Sequence, residues 1–201
     1  MSDIHLLIMA AGESRRMGVP KQLLPWGEQS LITHQVSVLL PLQVPITVVL
    51  GAHATQIQEV IQQCPVEIAF HPHWEKGMGT SIAFGVQTIL KKHPNTSGIL
   101  ISLVDQPLIP QAHYQNMIQA FESSQQSIIV SKSPHGDWGA PVLFDRSYFD
   151  ALLKLKGDVG AKKMVKEHTQ KVAYVLCESG LEDMDTLEAY HQLLAKATIN
   201  S

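Results

Sequence analysis

With 201 residues, 45% of them hydrophobic and 16% charged, the chain has enough apolar material for a buried core, which excludes an intrinsically disordered segment. A formal net charge of −3 excludes the basic surface by which proteins hold nucleic acid in general, so an anionic ligand must be met by a local cluster of cations. The longest apolar runs fall far short of the roughly 20 residues of a membrane span, and the two cysteines, Cys64 and Cys177, lie far apart in apolar contexts that suit a reducing compartment, the cytoplasm by default.

Taken in chain order, the first apolar run lacks a basic n-region and passes straight into a Gly/Arg loop, so it reads as a strand over Ile4–Ala10 and not as a signal peptide. Helical spacing over Leu31–Leu39 leads to a strand at Ile46–Leu50, and a helix over Thr55–Gln63 to a strand at Val66–Phe70. A helix over Ser81–Lys91 precedes the strand Ile99–Val104, and one over Gln111–Glu122 precedes the strand Ser127–Ser131. The strand Pro141–Phe144 has no helix before it, so antiparallel pairing is expected there. Short helices at Tyr148–Leu153 and Ala161–His168, a strand at Val172–Leu176 and a helix at Thr186–Lys196 complete the pattern. No Pro/Gly/Ser-rich linker divides the chain, so residues 1–201 are expected to form a single domain. The alternation predicts an α/β fold: a mostly parallel sheet flanked by helices on both faces, with ligands at the carboxyl ends of the strands.

The segment from Met9 to Gly27, MAAGESRRMGVPKQLLPWG, is the most informative. It follows a buried strand directly, and its small residues Ala10, Ala11 and Gly12 let the backbone approach a ligand. Gly12 and Gly18 are the positions expected to take positive φ. Arg15, Arg16 and Lys21 set three cations against Glu13, which suits a polyphosphate. A P-loop is excluded, because five residues separate Gly12 from Gly18 and Gln22 follows Lys21. The dinucleotide fingerprint fails at Ser14, and in the later run Gly77-Met78-Gly79-Thr80-Ser81-Ile82 it fails at Ile82.

The loop instead resembles the signature of MobA/MocA-like nucleotidyltransferases, of the form AAGxSxRMGxxKxLLPWG, which fixes about ten positions in nineteen residues. The resemblance extends from Leu6 to about Tyr190 and implies a Rossmann-like nucleotidyltransferase, or glycosyltransferase-A type, sheet. It implies nucleotide contacts from Ala10, Ala11, Gly12, Ser14, Arg15, Arg16, Gly18 and Lys21, with Arg16 and Lys21 on the triphosphate. The Ala-Ala-Gly start and the Leu-Pro-Trp-Gly ending are similar to the cytidylyltransferase branch, and so favour CTP over GTP.

Later motifs fit the same resemblance. Ile99–Val104 ends in Asp105-Gln106-Pro107, where an open sheet presents a carboxylate to ligands, and a hard Mg²⁺ takes oxygen donors; Asp105 is the expected metal ligand. The Gly77–Ser81 run places Gly79, Thr80 and Ser81 at the start of a helix, near the nucleotide, with Thr80 a candidate N-cap. His71 and His73 have no partner ligands at a recognisable spacing and read as structural or surface residues. Gly139, Ala140 and Pro141, with Gly157 and Asp158, resemble elements on the acceptor side, and Asp158 is a candidate helix cap. Ala140 stands where molybdopterin cytidylyltransferases often have His. Asp185 is either a second metal ligand, as in related enzymes, or a helix N-cap in a capping box with Glu188.

The implied reaction is transfer of a cytidylyl group from CTP to the phosphate of molybdopterin, with Mg²⁺ and release of pyrophosphate, serving a xanthine-dehydrogenase-like molybdoenzyme. Arg16, Lys21 and Asp105 are its expected catalytic groups, acting by positioning and charge neutralisation. Three other readings stay open: a relative using GTP or a sugar or polyol phosphate, a non-catalytic chaperone for a molybdenum hydroxylase, and an NAD-dependent oxidoreductase.

Overall fold

A computed structural model describes residues 3–199 and contains a seven-stranded sheet. Strand β1 (Ile4–Ala10) lies inside the sheet, parallel to β4 (Ile46–Leu50) on one side and β6 (Gly98–Leu103) on the other. Beyond β4 lies β5 (Glu67–Phe70), also parallel; beyond β6 come β8 (Trp138–Asp145), β7 (Ile128–Lys132) and β9 (Val172–Leu176). As expected from the missing helix, β8 is antiparallel to both β6 and β7, while β7 and β9 are parallel. It starts at Trp138, before the predicted Pro141, because Trp138 and Gly139 continue the ladder with Lys132 and Ser131 past an irregularity between Val130 and Ser131. A short antiparallel ribbon of β2 (Pro25–Trp26) and β3 (Gln29–Ser30) leads into the first helix.

The apolar run Leu6–Ala10 of β1 follows from burial on both faces. Leu6 and Ile8 point into one layer with helices α1 (Leu31–Leu39), α2 (Ala54–Ile61), α4 (Gln111–Ser123) and α7 (Leu187–Ile199), through Val36, Ile57, Tyr114 and Leu193. Leu7 and Met9 point into the other, against α3 (Met78–Lys92), α5 (Phe149–Leu152) and α6 (Lys162–Glu167), through Val86, Leu152 and Val165. Helix α3 lies so close to the sheet that a Cβ on Gly85 would come within 2.7 Å of Leu7 Cδ1 and 2.8 Å of Val49 Cγ2, which makes glycine a packing requirement there. Among the described residues no helix is long and apolar enough to cross a membrane.

Some helix starts differ from the sequence reading. Helix α3 begins at Met78, three positions before the expected Ser81: Gly77, at φ 103°, makes the turn, and the Thr80 hydroxyl donates back to the Gly77 carbonyl instead of capping. Helix α6 begins after Ala161 without a side-chain cap, so Asp158 caps nothing. Helix α7 is capped by Thr186, whose hydroxyl accepts from the Ala189 amide at 3.1 Å, and not by Asp185.

Candidate active site

The first loop closes on itself at the carboxyl end of β1. Ser14, at φ 60°, and Gly18, at φ 69°, make its reversals; Gly12, expected to do so, does not take positive φ. Met17 is buried and donates its amide to the Ser14 carbonyl at 2.9 Å, so its side chain anchors the loop in the core. The Lys21 amide donates to Ser14 Oγ at 3.0 Å, tying the end of the loop to its middle. The clamp is Gln22, 1% exposed, whose Nε2 donates to the carbonyls of Ala10 and Gly12 at 2.9 Å each. Two carbonyls share one amide, that of buried Ala10 and that of exposed Gly12, so losing it removes the side-chain donor from both.

Across this loop runs a line of alternating charges. Lys21 Nζ donates to Asp105 Oδ2 at 2.6 Å and to Asp185 Oδ1 at 3.0 Å, and Arg16 donates to Asp185 Oδ2 at 2.7 Å. Exposure grades along it: the Lys21 and Asp105 side chains are 11% and 18% exposed, those of Asp185 and Arg16 39% and 70%. Burial favours the neutral amine at Lys21, but Asp105 and Asp185 outweigh it and raise its pKa above the usual value. Burial also works against charge on Asp185, and there Lys21 and Arg16 together hold the carboxyl below its usual range. Arg15 turns away to pair with Glu13 at 2.6 Å.

Asp105 sits just beyond β6, and the segment 183–185 is fastened to it by the Met184 amide, which donates to the Asp105 carbonyl at 2.8 Å. Met184 is fully buried, and its neighbours flank it. Asp183 accepts from Gln106 Nε2 at 2.9 Å; burial, then the nearby Asp105, pushes its pKa up. Asp105 Oδ1 is buried and makes no hydrogen bond within the protein, a hard oxygen that fits a divalent cation such as Mg²⁺. Asp185 has both oxygens engaged by Lys21 and Arg16, and so fits that role only when an anion draws those cations away.

A first cavity of about 430 Å³ opens over this line of charges. Ala10, Ala11, Gly12, Ser14, Arg15, Lys21, Ser81, Asp105 and Asp185 line it, as does Asp158, expected on the acceptor side. Arg16, Gly18, Gly79 and Thr80 do not line it: Arg16 reaches it through Asp185, and the Gly79 amide donates to the Gly157 carbonyl at 2.8 Å. A second cavity, about 590 Å³, takes in Gly139 and Ala140 but neither Pro141 nor Gly157. Met78 and Leu103 line both, so the two cavities adjoin. His71 is buried and stacks on Phe84 with ring centroids 4.7 Å apart, a packing role. Among the described residues no group of three or more His, Cys, Asp or Glu forms a metal cluster.

Sequence reasoning missed several of these groups. Gln22 served there only to exclude a P-loop, and nothing local marks it as a clamp. Trp74 and Met78, walls of the first cavity, and Gln106, Trp138, Lys162 and Asp183, in the second, come together only through tertiary packing. Gln106 was readable as the neighbour of Asp105, but its contact with Asp183 spans 77 positions.

The chain is 27% identical over 201 residues to the nicotine blue oxidoreductase of Paenarthrobacter nicotinovorans, covering 94% of this chain and 95% of that one. It is 29% identical to the purine catabolism protein PucB of Bacillus subtilis strain 168, covering 92% of each. Similarity to the molybdenum cofactor cytidylyltransferase of Escherichia coli K12 is partial, 30% over 94 residues, 46% of this chain and 49% of the relative. Among solved structures, Rv0371c from Mycobacterium tuberculosis H37Rv superposes with a TM-score of 0.85 at 27% identity over 96% of this chain and 98% of its own, and the same protein has been crystallised with manganese. Residues 6–172 match the MobA-like NTP transferase domain, and the chain belongs to that family.

Proposed function

We propose that this nucleotidyltransferase moves a cytidylyl group from CTP to the phosphate of a molybdopterin-type acceptor, with Mg²⁺ and release of pyrophosphate, and that the cytidylylated product serves a xanthine-dehydrogenase-type enzyme. The observation that carries the reading is the Arg16–Asp185–Lys21–Asp105 line of ion pairs across a cavity walled by the 9–15 backbone. A triphosphate entering there competes with the carboxylates for Lys21 and Arg16, and each cation it draws away frees an oxygen on Asp105 or Asp185. Asp105 and Asp185 would hold Mg²⁺, which would supply neutralisation of phosphate charge. Lys21 stabilises charge on the α-phosphate and Arg16 charge on the departing pyrophosphate, while Ala10, Ala11 and Gly12 lie against cytosine and ribose. The acceptor phosphate is already anionic, so no general base is required. The adjoining second cavity, with Gly139 and Ala140, is the acceptor side. The similarity to a purine catabolism protein and, over part of the chain, to a molybdenum cofactor cytidylyltransferase supports the acceptor.

The nicotine blue oxidoreductase similarity supports a competing redox reading, in which the chain binds a nicotinamide cofactor. One experiment separates them: incubate the protein and Mg²⁺ with molybdopterin-type cofactor and each of CTP, GTP, ATP and UTP, analyse products by mass, and titrate NADH and NADPH in parallel. The cytidylyl adduct with CTP is the expected product. No adduct with any nucleotide, together with saturable nicotinamide binding, sinks the proposal.

A further inference from the structure

The second cavity differs chemically from the first: Ile82, Leu103 and Val142 give it apolar walls, and of its polar lining residues Gln106 and Ser133 are buried while His135, Asp137, Lys162, Glu182 and Asp183 are exposed. We propose that Trp138 and Lys162 set acceptor specificity by forming one wall of a slot for a flat nitrogen heterocycle, and that the slot rejects polyols. This rests on reading the cavity as the acceptor side. Trp138 opens β8 and Lys162 opens α6; the Lys162 ammonium lies over the indole, 5.1 Å from the ring centroid, and fixes the ring's attitude.

The two buried polar side chains are Gln106 and Ser133. Gln106, 4% exposed, donates through Nε2 to the Leu181 carbonyl at 3.4 Å and to Asp183 at 2.9 Å, which settles which end of the amide is which. Its Oε1 is left buried without a hydrogen-bond partner, and so is the hydroxyl of Ser133, 6% exposed. A flat heterocycle has apolar faces for Trp138 and the aliphatic wall, and N–H and ring nitrogen atoms at its edge for Gln106 and Ser133. A polyol carries a hydroxyl on nearly every carbon, and those set against Ile82, Leu103 and Val142 would be stripped of water with nothing in return. The volume, about 590 Å³, suits a fused two- or three-ring system.

Calorimetric titration of the full chain with phosphate-free probes tests this without turnover. With 6-hydroxymethylpterin, wild type and Trp138→Phe should bind saturably. Trp138→Ala should weaken binding about ten-fold, the scale of ring stacking on an aromatic side chain, and Lys162→Ala a few-fold. Sorbitol should give no saturable heat. An unchanged thermal unfolding midpoint identifies a folded Trp138→Ala; Lys162→Ala, on the exposed start of α6, tests the wall independently. Sorbitol binding as tightly as the pterin, or pterin affinity untouched in both alanine variants, overturns the slot. Pterin binding that falls with Trp138→Ala in a chain that transfers no cytidylyl group supports the slot and removes the reaction. Cytidylyl transfer whose acceptor KM ignores Trp138→Ala overturns the slot and leaves the reaction.

Discussion

The two adjoining cavities are made in different ways. The first is built around one continuous segment, residues 9–22, that holds its own shape through Ser14 and Gln22, and it takes its carboxylates Asp105, Asp158 and Asp185 and walls such as Trp74 and Met78 from elsewhere. The second is assembled from the ends of β6 and β8, the starts of α3 and α6 and the 180–183 stretch, and no two of these are neighbours in sequence. The first is governed by charge, the second by apolar shape. A donor site of the first kind stays recognisable when the rest of the chain diverges, whereas an acceptor site of the second kind changes with every element that lines it.

The largest expected effect falls on the charged cavity. Asp105→Asn keeps the side-chain volume and removes the carboxylate with the free buried oxygen; pyrophosphate release at saturating CTP and Mg²⁺ should fall by about 10³ or more, the scale of losing a key electrostatic group. Turnover near wild type would make the line of ion pairs structural and erase the contrast. Gln22→Leu comes next. The Ala10 and Gly12 carbonyls would lose their donor, costing about 1–3 kcal/mol in urea unfolding, and CTP affinity should fall while binding of a pterin probe does not. Loss of both would mean that the cavities are not independently built.

Lys21→Ala sharpens the contrast differently. The ammonium already bridges Asp105 and Asp185, so its removal should raise the Mn²⁺ affinity of the nucleotide-free chain by roughly ten-fold, read by electron paramagnetic resonance of free Mn²⁺, even as turnover collapses. Unchanged or weaker Mn²⁺ binding would show that Lys21 does not hold the cation site closed. The smallest effect concerns pH. Asp185 has a lower pKa folded than unfolded, so its ion pairs contribute stability above the unfolded value of about 3.9 and lose it as pH falls through the folded value. At 39% side-chain exposure that contribution should be only about 0.5 kcal/mol. The urea midpoint of Asp185→Asn should accordingly fall less steeply than wild type between pH 5 and 3, and a parallel fall would place the acid sensitivity elsewhere.

How much was legible in the sequence follows the same division. The strands and helices fall within a few residues of the apolar periodicity, down to the antiparallel β8, because each buries a face that its own side chains define. Errors cluster where a side chain had competing partners. Asp185 and Thr186 are both good caps by type; Asp185 gives up the role because two cations offer its carboxylate stronger hydrogen bonds than one backbone amide. Ser14, not Gly12, takes the left-handed turn, because its hydroxyl is required there to receive the Lys21 amide. Gln106 lies beside Asp105 in sequence and Trp138 beside Gly139, but nothing local joins them to each other or to Lys162, since what makes them neighbours is the stacking of distant strands and helices.

The alternation at 183–185 sets one carboxylate beside each cavity and a methionine between them in the core. Its message is about length more than identity. Inserting one residue between Asp185 and Thr186, with Thr186 still fixed to α7, would turn the thioether outward and drive the Asp185 carboxylate into the apolar layer beneath β6. Relatives of this chain should therefore tolerate substitution in the approach to this segment more readily than a single-residue change in its span, and chain length there is a sharper guide to a preserved site than the letters themselves.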